Sequence, residues 1–351
     1  MIQKTNELKP MGVGDILDYS IEVFKSNFKT FALLTLILYL PWVFIQSLIS
    51  SSVFGNTFGF IEVAIKSIIE GDIDGYMNEI ESITSNYVTL NVLSNMMSFL
   101  NMCYGITIKL VYNACIMKIV YDYVVNKQKE FFSFKNIKNK IKEGFGFMPR
   151  MMGNAFFFNL IFYGAYYVSF FVASILIIIM MIFLSGYLEK VLPINVLIAF
   201  GIMLSVVLLL AALFCTVFFW IKLIFGANAI VSERASVFGS IKRSWQLSKG
   251  YFWHIALTCL FGFLLFFVSG NMLTAASIAV SYINKALFVL LYTVTSIFNA
   301  FLYPFTLIFI TLAFINIKIQ KEGLDLQIKI FSMIQNQFAV NNSVGGGNIN
   351  D

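Results

Sequence analysis

The chain has few charged residues and little of the material that most catalytic sites need. Only 12% of its 351 residues are charged, about half of the roughly 25% that is usual in soluble domains, whereas 59% are hydrophobic. One histidine and four cysteines leave too few side chains for most zinc, haem or catalytic-triad sites. The composition therefore favours an integral membrane protein that is not an enzyme and that holds no metal or cofactor.

Long runs without a central charge predict six membrane-spanning helices. A charge at the middle of a bilayer costs about 2.5 to 3.5 kcal/mol, and about 20 apolar residues cross the hydrocarbon core. We therefore expect an all-α integral membrane fold, with some helices tilted or extending beyond the lipid because several runs are longer than a bilayer requires. The predicted spans are Thr30–Val53, Tyr87–Val125, Met151–Tyr187, Val191–Ile221, Tyr251–Ile283 and Ala286–Ile317.

Basic residues lie mostly on one side of this predicted membrane. They cluster in the N-terminal segment, in the connections after the second and fourth spans, and after the last span. The opposite connections hold only Lys66, Lys190 and Lys285, and the loop of residues 55–86 is acidic. Because short basic loops stay in the cytoplasm, we expect a multi-pass protein of the cytoplasmic membrane with both termini in the cytoplasm.

The predicted cytoplasmic segments share one layout. Between the fourth and fifth spans, Val237–Lys249 predicts an amphipathic helix, followed by a Gly-Tyr-Phe-Trp sequence and a span. Between the second and third spans, Phe131–Glu143 predicts a basic amphipathic helix, followed by Gly144-Phe145-Gly146-Phe147 and a span. The N-terminal segment is a weaker third copy. We therefore predict a single polytopic domain of residues 1–330, built from three repeats of an interfacial helix plus a helical hairpin (about 10–125, 130–228 and 235–320), and a flexible cytoplasmic tail of residues 331–351.

Three short stretches carry a resemblance to a known family. They are residues 8–18 (LKPMGVGDILD), Glu233 with residues 241–253 (IKRSWQLSKGYFW), and residues 321–326 (KEGLDL). Together they resemble the bacterial membrane domain that is named after glycerophosphoryl diester phosphodiesterases. Where that family has a Tyr-Asp-Leu-Arg type of run at the end of the last span, this chain has Phe314 to Lys318.

The resemblance implies a membrane fold rather than the activity in the family's name. In that family the membrane domain precedes a separate catalytic domain, and related proteins carry the membrane domain alone. Paired histidines and clustered carboxylates are typical of metal-assisted phosphodiester cleavage, and His254 has no second histidine to pair with. The resemblance therefore implies a stand-alone membrane domain without phosphodiesterase activity.

Lys109 is the most unusual residue, because it lies inside a predicted span with no carboxylate in a facing run. An intramembrane charge indicates function by default, but if the span ends near Ile116 the long side chain can reach the interface. Asn101 and Asn113 belong to a polar stripe on the same span, which either joins helices or lines a pathway. The other members of that stripe are Asn95, Ser98 and Tyr104.

A second cluster of candidates precedes the fifth span. Glu233 and Arg243 are too far apart for a pair within one helix, so a salt bridge between them requires the chain to bend. Arg243 could instead bind a lipid phosphate, with Trp245 at the level of the lipid carbonyls and Lys249 beside them. The two interpretations are a structural ion pair and a binding site for a lipid headgroup or a protein partner.

These features favour a non-enzymatic accessory or scaffold protein that engages anionic membrane lipids or a membrane protein partner. The alternative is a transporter or exporter of a small or lipid-like molecule, for which Lys109 and the polar stripe are the evidence. No nucleic-acid-binding signature is present, and the net charge of +6 is explained by the basic cytoplasmic segments.

Overall fold

A computed structural model describes residues 9–51, 92–127, 134–183, 194–281 and 284–324, together with residues 53, 69, 326, 327 and 330. The predicted acidic loop (residues 55–86) lies outside the described residues except for Ile69, and so does the predicted tail (residues 331–351).

The regular structure of the described part of the chain is entirely helical, and six of its helices are long and apolar enough to cross a membrane. These six are α2, α3, α4, α5, α8 and α9, and they confirm the prediction of an all-α membrane protein. The helices in chain order are α1 (Val13–Ser26), α2 (Phe28–Ser51), α3 (Val92–Val124), α4 (Phe134–Phe183), α5 (Ile194–Leu223), α6 (Gly226–Glu233), α7 (Val237–Ser248), α8 (Phe252–Ser281) and α9 (Lys285–Glu322).

The chain divides into two compact units. The first unit comprises residues 1–149 and 257–351, and the second comprises residues 150–256. Helices α4 and α8 each contribute residues to both units, because the boundaries fall within them. The three sequence repeats predicted above stay a prediction.

Helix α9 forms the core of the first unit. From Leu307 to Ile319 almost every side chain is buried, and this part of α9 packs against α1 and α3. A helix that is apolar on all sides is expected to be surrounded by other helices.

Tyr19 lies on α1, which packs against this core. Burial and the nearby Tyr123 and Glu22 raise the pKa of Tyr19 to about 12, so its phenol stays protonated at physiological pH.

The membrane-crossing parts of α4, α5 and α8 expose large apolar side chains, among them Val168, Leu210 and Phe263. A soluble protein rarely exposes such continuous apolar surface. In a bilayer these side chains contact lipid tails, which explains how helices with so little protein packing remain stable.

Two helix boundaries were predicted at glycines that precede a span. The boundary at Gly144 is wrong, and the boundary at Gly250 is confirmed. Helix α4 continues from Phe134 through Gly144 and Gly146, so no turn separates a basic helix from the third span. Gly144 serves close packing instead, because a Cβ there would lie 2.6 Å from the Cys115 sulfur. Before α8 the chain does break, because α7 ends at Ser248 and Gly250 has a φ of +88°, a left-handed conformation that favours glycine.

Candidate functional site

Lys109 lies among aromatic rings in the first unit. Its Nζ is 5.2 Å from the centroid of the Tyr303 ring and 6.0 Å from that of the Tyr39 ring. Both distances fall within the range of a cation–π interaction. Within the described part of the chain no carboxylate pairs with this ammonium group, so the two tyrosine rings are its only partners there.

Helix α3 does not stop at Ile116, and its last residue, Val124, agrees with the predicted span Tyr87–Val125. The helix continues to Val124, and the next charge along it after Lys109 is Lys118, about 13 Å further along the helix axis at 1.5 Å per residue. Lys118 and Lys140 both pair with Asp122, at 2.8 and 2.9 Å. The Lys109 ammonium group therefore lies against aromatic rings, whereas the ion pairs of Asp122 lie further along α3.

The tyrosines around Lys109 form one stacked cluster that is held by hydrogen bonds. The Tyr39 ring stacks on Tyr303 at 5.1 Å and on Tyr112 at 5.3 Å. The hydroxyl of Tyr104 donates to the Leu38 carbonyl at 2.7 Å, and that of Tyr303 donates to Asn113 Oδ1 at 3.3 Å. Such bonds fix the rings in place.

The irregular backbone of α2 and α3 lies next to this cluster. Residues Thr35–Tyr39 of α2 form a π-helical turn, a local feature that is frequent at functional sites. The Thr35 hydroxyl and the Tyr112 hydroxyl are 2.8 Å apart and share a hydrogen bond. Thr107 interrupts α3 with a φ of −119° and a ψ of −94°, two residues before Lys109. Both irregularities place aromatic or charged side chains in the cluster.

A polar cavity of about 270 Å³ lies beside the tyrosine cluster, between α2, α8 and α9. This volume is close to the lower limit of roughly 300 Å³ for small-molecule sites. Lys109 contacts two of the lining residues but does not itself line the cavity. Most of the lining side chains are polar: Tyr39, Gln46, Ser47, Ser50, Thr274, Tyr292, Ser296, Asn299 and Tyr303.

Some polar groups of this cavity have no partner among the described residues. The Oδ1 atom of Asn299 is buried and accepts no hydrogen bond from them. The Gln46 amide and the Tyr39 hydroxyl form no hydrogen bond with any residue that the structure describes. An unsatisfied polar group in an apolar environment costs several kcal/mol. These groups are therefore suited to binding water or a polar solute within the membrane-crossing region.

A second recess of about 230 Å³ lies between α2 and α3. It shares Gln46 and Ser50 with the larger cavity, and Ser98 and Asn101 line its other side. Asn101 Oδ1 also accepts a hydrogen bond from Trp42 Nε1 at 3.0 Å. Together the two recesses form one polar surface along α2. From here on, the term polar cavity covers both of them.

The structure brings together the three intramembrane candidates that the sequence predicted. Lys109, Asn101 and Asn113 all contact the tyrosine cluster or the polar cavity. Tyr39, Gln46 and Asn299 were not among the predicted site residues, although their helical spacing was visible in the sequence. The polar cavity is lined by residues 39, 43, 46 and 50 of α2 and by residues 292, 296, 299 and 303 of α9, which follow the i, i+4, i+7, i+11 pattern of a single helix face.

The second predicted cluster belongs to the second unit, where α6 and α7 meet. The chain bends at Arg234, whose φ is +55°, and Arg243 then donates two hydrogen bonds to the Glu233 carboxylate at 2.8 and 2.9 Å. This is the tertiary salt bridge that the sequence allowed. The Arg243 guanidinium therefore has a bidentate carboxylate partner. Trp245 is exposed on α7, and Lys249, the residue that follows α7, is exposed as well.

The described residues contain no group of three or more His, Cys, Asp or Glu side chains close enough to hold a metal ion. The four cysteines are free thiols: Cys115 and Cys259 are buried, Cys103 is half-buried and Cys215 is exposed.

Comparisons with known proteins add no relative to this description. The chain matches no family model, no curated protein and no solved structure. The resemblance to the phosphodiesterase-associated membrane domain accordingly stays a prediction from its sequence motifs.

Proposed function

We propose that this protein is a non-enzymatic transporter or exporter of a small or lipid-like molecule, and that the polar cavity of the first unit is its binding site. The observation that carries the proposal is the set of polar groups without a partner among the described residues, Gln46 and Asn299 above all, inside a bundle of membrane-crossing helices. Polar groups inside a bundle of membrane-crossing helices are expected to mark a pathway for solutes.

Lys109 gives the polar cavity its charge preference. No Asp, Glu or His is among the described residues that line it, and the ammonium group of Lys109 contacts two of the lining tyrosines. In a medium of low dielectric constant a unit charge acts over several ångströms. The cavity is therefore suited to a molecule that has a polar or anionic group.

The absence of acid and base groups from the described lining is the reason for a non-enzymatic function. General acid–base catalysis needs a group that exchanges a proton near neutral pH. Amide, hydroxyl and phenol groups can hold and orient a solute, but they do not exchange protons readily at that pH.

We place the protein in the cytoplasmic membrane with both termini in the cytoplasm. The support is the clustering of basic residues in the N-terminal segment, around residues 127–150, around residues 234–249 and after the last span. Fusion of a fluorescent protein and of alkaline phosphatase to the C-terminus tests this orientation, because the first is bright and the second inactive only if that end is cytoplasmic.

Cysteine labelling tests the polar cavity without knowledge of the solute. The native cysteines are replaced by serine or alanine, and Gln46→Cys and Ser296→Cys variants are treated in intact membranes with two water-soluble methanethiosulfonates. One reagent carries a sulfonate and the other a trimethylammonium group. A Leu264→Cys variant is the control, because Leu264 is exposed on α8 and faces lipid in this proposal.

We expect both cavity variants to react and the control to remain unmodified. The sulfonate reagent should react faster than the cationic one, and the ratio of the two rates should fall about tenfold when Lys109→Met is added. If the Gln46→Cys and Ser296→Cys variants react no faster than the lipid-facing control, the polar cavity is closed to solutes and the proposal fails. If the cavity variants do react, transport itself is measured as uptake into proteoliposomes, with butyl phosphate as the anionic solute and butyltrimethylammonium as the cationic one.

A further inference from the structure

Helix α7 of the second unit has two opposite faces. Its buried face consists of Ser240, Ser244, Leu247 and Ser248. Its outer face carries Phe238, Lys242 and Trp245, which follow each other at intervals of four and three residues and therefore lie on one side of the helix. Lys249 directly follows the helix and continues this spacing, and we count it with the outer face. Phe238 is 68% exposed and Trp245 is 40% exposed.

Hydrogen bonds on the buried face fix the rotation of α7. The Ser244 hydroxyl donates to the Lys222 carbonyl at 2.8 Å and accepts from the Phe225 amide at 3.1 Å. It thereby satisfies two backbone groups where α5 ends and α6 begins. Asn154 donates to the Ser240 hydroxyl at 2.8 Å. Because these groups are buried, rotating the helix would break several bonds at once, and the outer face stays outward.

The outer face is both aromatic and basic. Phe238, Ile241 and Trp245 border an open apolar recess, and Lys242 stands beside it. The Lys222 ammonium lies 5.6 Å from the centre of the Trp245 ring. Aromatic rings alternating with lysines are typical of surfaces at the level of lipid headgroups.

The electrostatic balance of this end of the second unit is strongly positive. Glu233 is the only acidic side chain among the described residues of 150–256, and Arg243 occupies both of its oxygens. Arg234, Lys242 and Lys249 of the same unit are exposed. A surface with this charge is complementary to an anionic partner.

We propose that the outer face of α7 binds the headgroups of anionic phospholipids in the bilayer that the protein spans. Lys242 and Lys249 are the cations for the lipid phosphate, and Phe238 and Trp245 insert beside the first carbons of the acyl chains. Arg243 is not a ligand, because Glu233 holds it. This inference is independent of the polar cavity and of any solute.

The position of α7 in the chain favours a bilayer over an acidic protein. Only Lys249, Gly250 and Tyr251 separate α7 from α8, which crosses the membrane. The α6 helix and two short turns separate α7 from the end of α5, another spanning helix. A helix that is tethered to spanning helices at both ends lies close to the membrane surface, so lipid headgroups are the nearest anions.

Native mass spectrometry of the full-length protein in detergent tests the proposal. Phosphatidylglycerol or phosphatidylcholine is added in increasing amounts, and the affinity of the first lipid bound is measured for each. The test variant is Lys242→Gln with Lys249→Gln. The matched control is Lys135→Gln with Lys138→Gln, which removes the same charge from exposed positions on α4 in the first unit.

We expect the wild-type protein to bind phosphatidylglycerol about 25-fold more tightly than phosphatidylcholine. Each lysine near an anionic headgroup contributes about fivefold, so the α7 variant should lose about 25-fold in phosphatidylglycerol affinity without a change for phosphatidylcholine. The control variant should stay within about threefold of wild type. Lys242→Arg with Lys249→Arg should keep the preference, because it keeps both charges.

Two outcomes would overturn this inference. In the first, the wild-type protein binds the two lipids equally. In the second, the α7 and α4 variants lose phosphatidylglycerol affinity to the same degree, which would mean that total charge and not this surface attracts the lipid. Thermal unfolding of each variant shows whether it is folded, and if the double α7 variant is not, the two single variants, each expected to lose about fivefold, decide the question.

Discussion

Asn316 of α9 forms two hydrogen bonds with the backbone of Met11, which precedes α1. Its Nδ2 donates to the Met11 carbonyl at 2.9 Å, and its Oδ1 accepts from the Met11 N–H at 2.8 Å. A side-chain amide has one donor and one acceptor side, and here both are used on a single residue. Because Asn316 is fully buried, this contact ties the N-terminal helix to the core of the first unit.

Replacing Asn316 by alanine should loosen that attachment. The substitution leaves the Met11 N–H and carbonyl without their partner, and each lost hydrogen bond to a buried group costs about 1 to 3 kcal/mol. We expect a lower unfolding temperature in detergent and faster hydrogen exchange in α1. Asn271→Ala is the control, because Asn271 is exposed and, among the described residues, bonds only to the Phe267 carbonyl of its own helix. Equal unfolding temperatures for the two variants would contradict this account.

Gly262 allows α8 and α9 to approach each other closely. A Cβ at this position would overlap the Phe309 ring, which is closer than real Cβ atoms approach any atom. Gly262→Ala should therefore destabilise the first unit by about 1 to 3 kcal/mol through overpacking. The same change at Gly164 meets no atom within 4 Å and should have little effect.

A compensating change tests the cause of that effect. If the clash with Phe309 is responsible, then Phe309→Leu should restore part of the stability when it is combined with Gly262→Ala, because the smaller side chain leaves room for the methyl group. Thermal unfolding of the single and double variants measures the coupling between the two positions. Purely additive effects would show that the ring is not the obstacle.

The sequence was sufficient to predict the spans because their physical cause is local. A run such as Ala286–Ile317 has no charge near its middle, and that property alone decides whether it can cross a bilayer. The continuation of α4 through Gly144 was not predictable in the same way. Glycine favours a turn in isolation, but here it makes room for Cys115 on a neighbouring helix, a contact that the sequence around it does not reveal.

The polar cavity was only partly predictable for the same reason. Lys109 was conspicuous as a charge within a span, and Asn101 and Asn113 as polar residues on its helix. Tyr39 and Asn299 lie on helices that are far from it in sequence, and they meet the cluster only after α2, α3 and α9 have packed. Their helical spacing was visible in the sequence, but which faces turn towards each other depends on tertiary packing.

Substitutions of Arg243 test whether this residue stabilises the second unit through its ion pair with Glu233 or only through its positive charge. Lysine keeps the charge but cannot form the two parallel hydrogen bonds to Glu233. We expect Arg243→Lys to lower the stability of the second unit by about 1 kcal/mol, and Arg243→Ala to lower it by about 1 to 3 kcal/mol because the half-buried carboxylate loses its partner.

The readout for Arg243 is thermal unfolding together with the lipid-binding measurement. Since Arg243 is engaged by Glu233, both variants should keep the preference for phosphatidylglycerol as long as they fold. A second control is Glu233→Gln, which should destabilise the protein to a similar degree while leaving Arg243 charged. Loss of lipid preference in Arg243→Lys, without loss of stability, would assign the guanidinium to lipid instead.

Replacing Lys109 by methionine should have opposite effects on stability and on function. The free energy cost of an unpaired cation in the middle of a span is about 2.5 to 3.5 kcal/mol. Contact with two aromatic rings offsets only about 1 to 2 kcal/mol of that cost. The lysine is therefore a net cost of about 1 kcal/mol, which methionine removes while keeping a similar side-chain length. We expect Lys109→Met to unfold at a slightly higher temperature and yet to lose the preference of the polar cavity for anions.

Lys109→Arg separates the charge from the shape of the side chain, since it keeps the cation and should keep the preference for anions. A side chain that served only packing would behave differently, because its replacement would lower stability and would leave the charge preference of the cavity unchanged. The two properties are measured on the same preparations, by thermal unfolding and by the rates of reaction of the Gln46→Cys variant with the anionic and cationic reagents. A drop in unfolding temperature with an unchanged rate ratio would therefore assign Lys109 a structural role and remove it from the binding site.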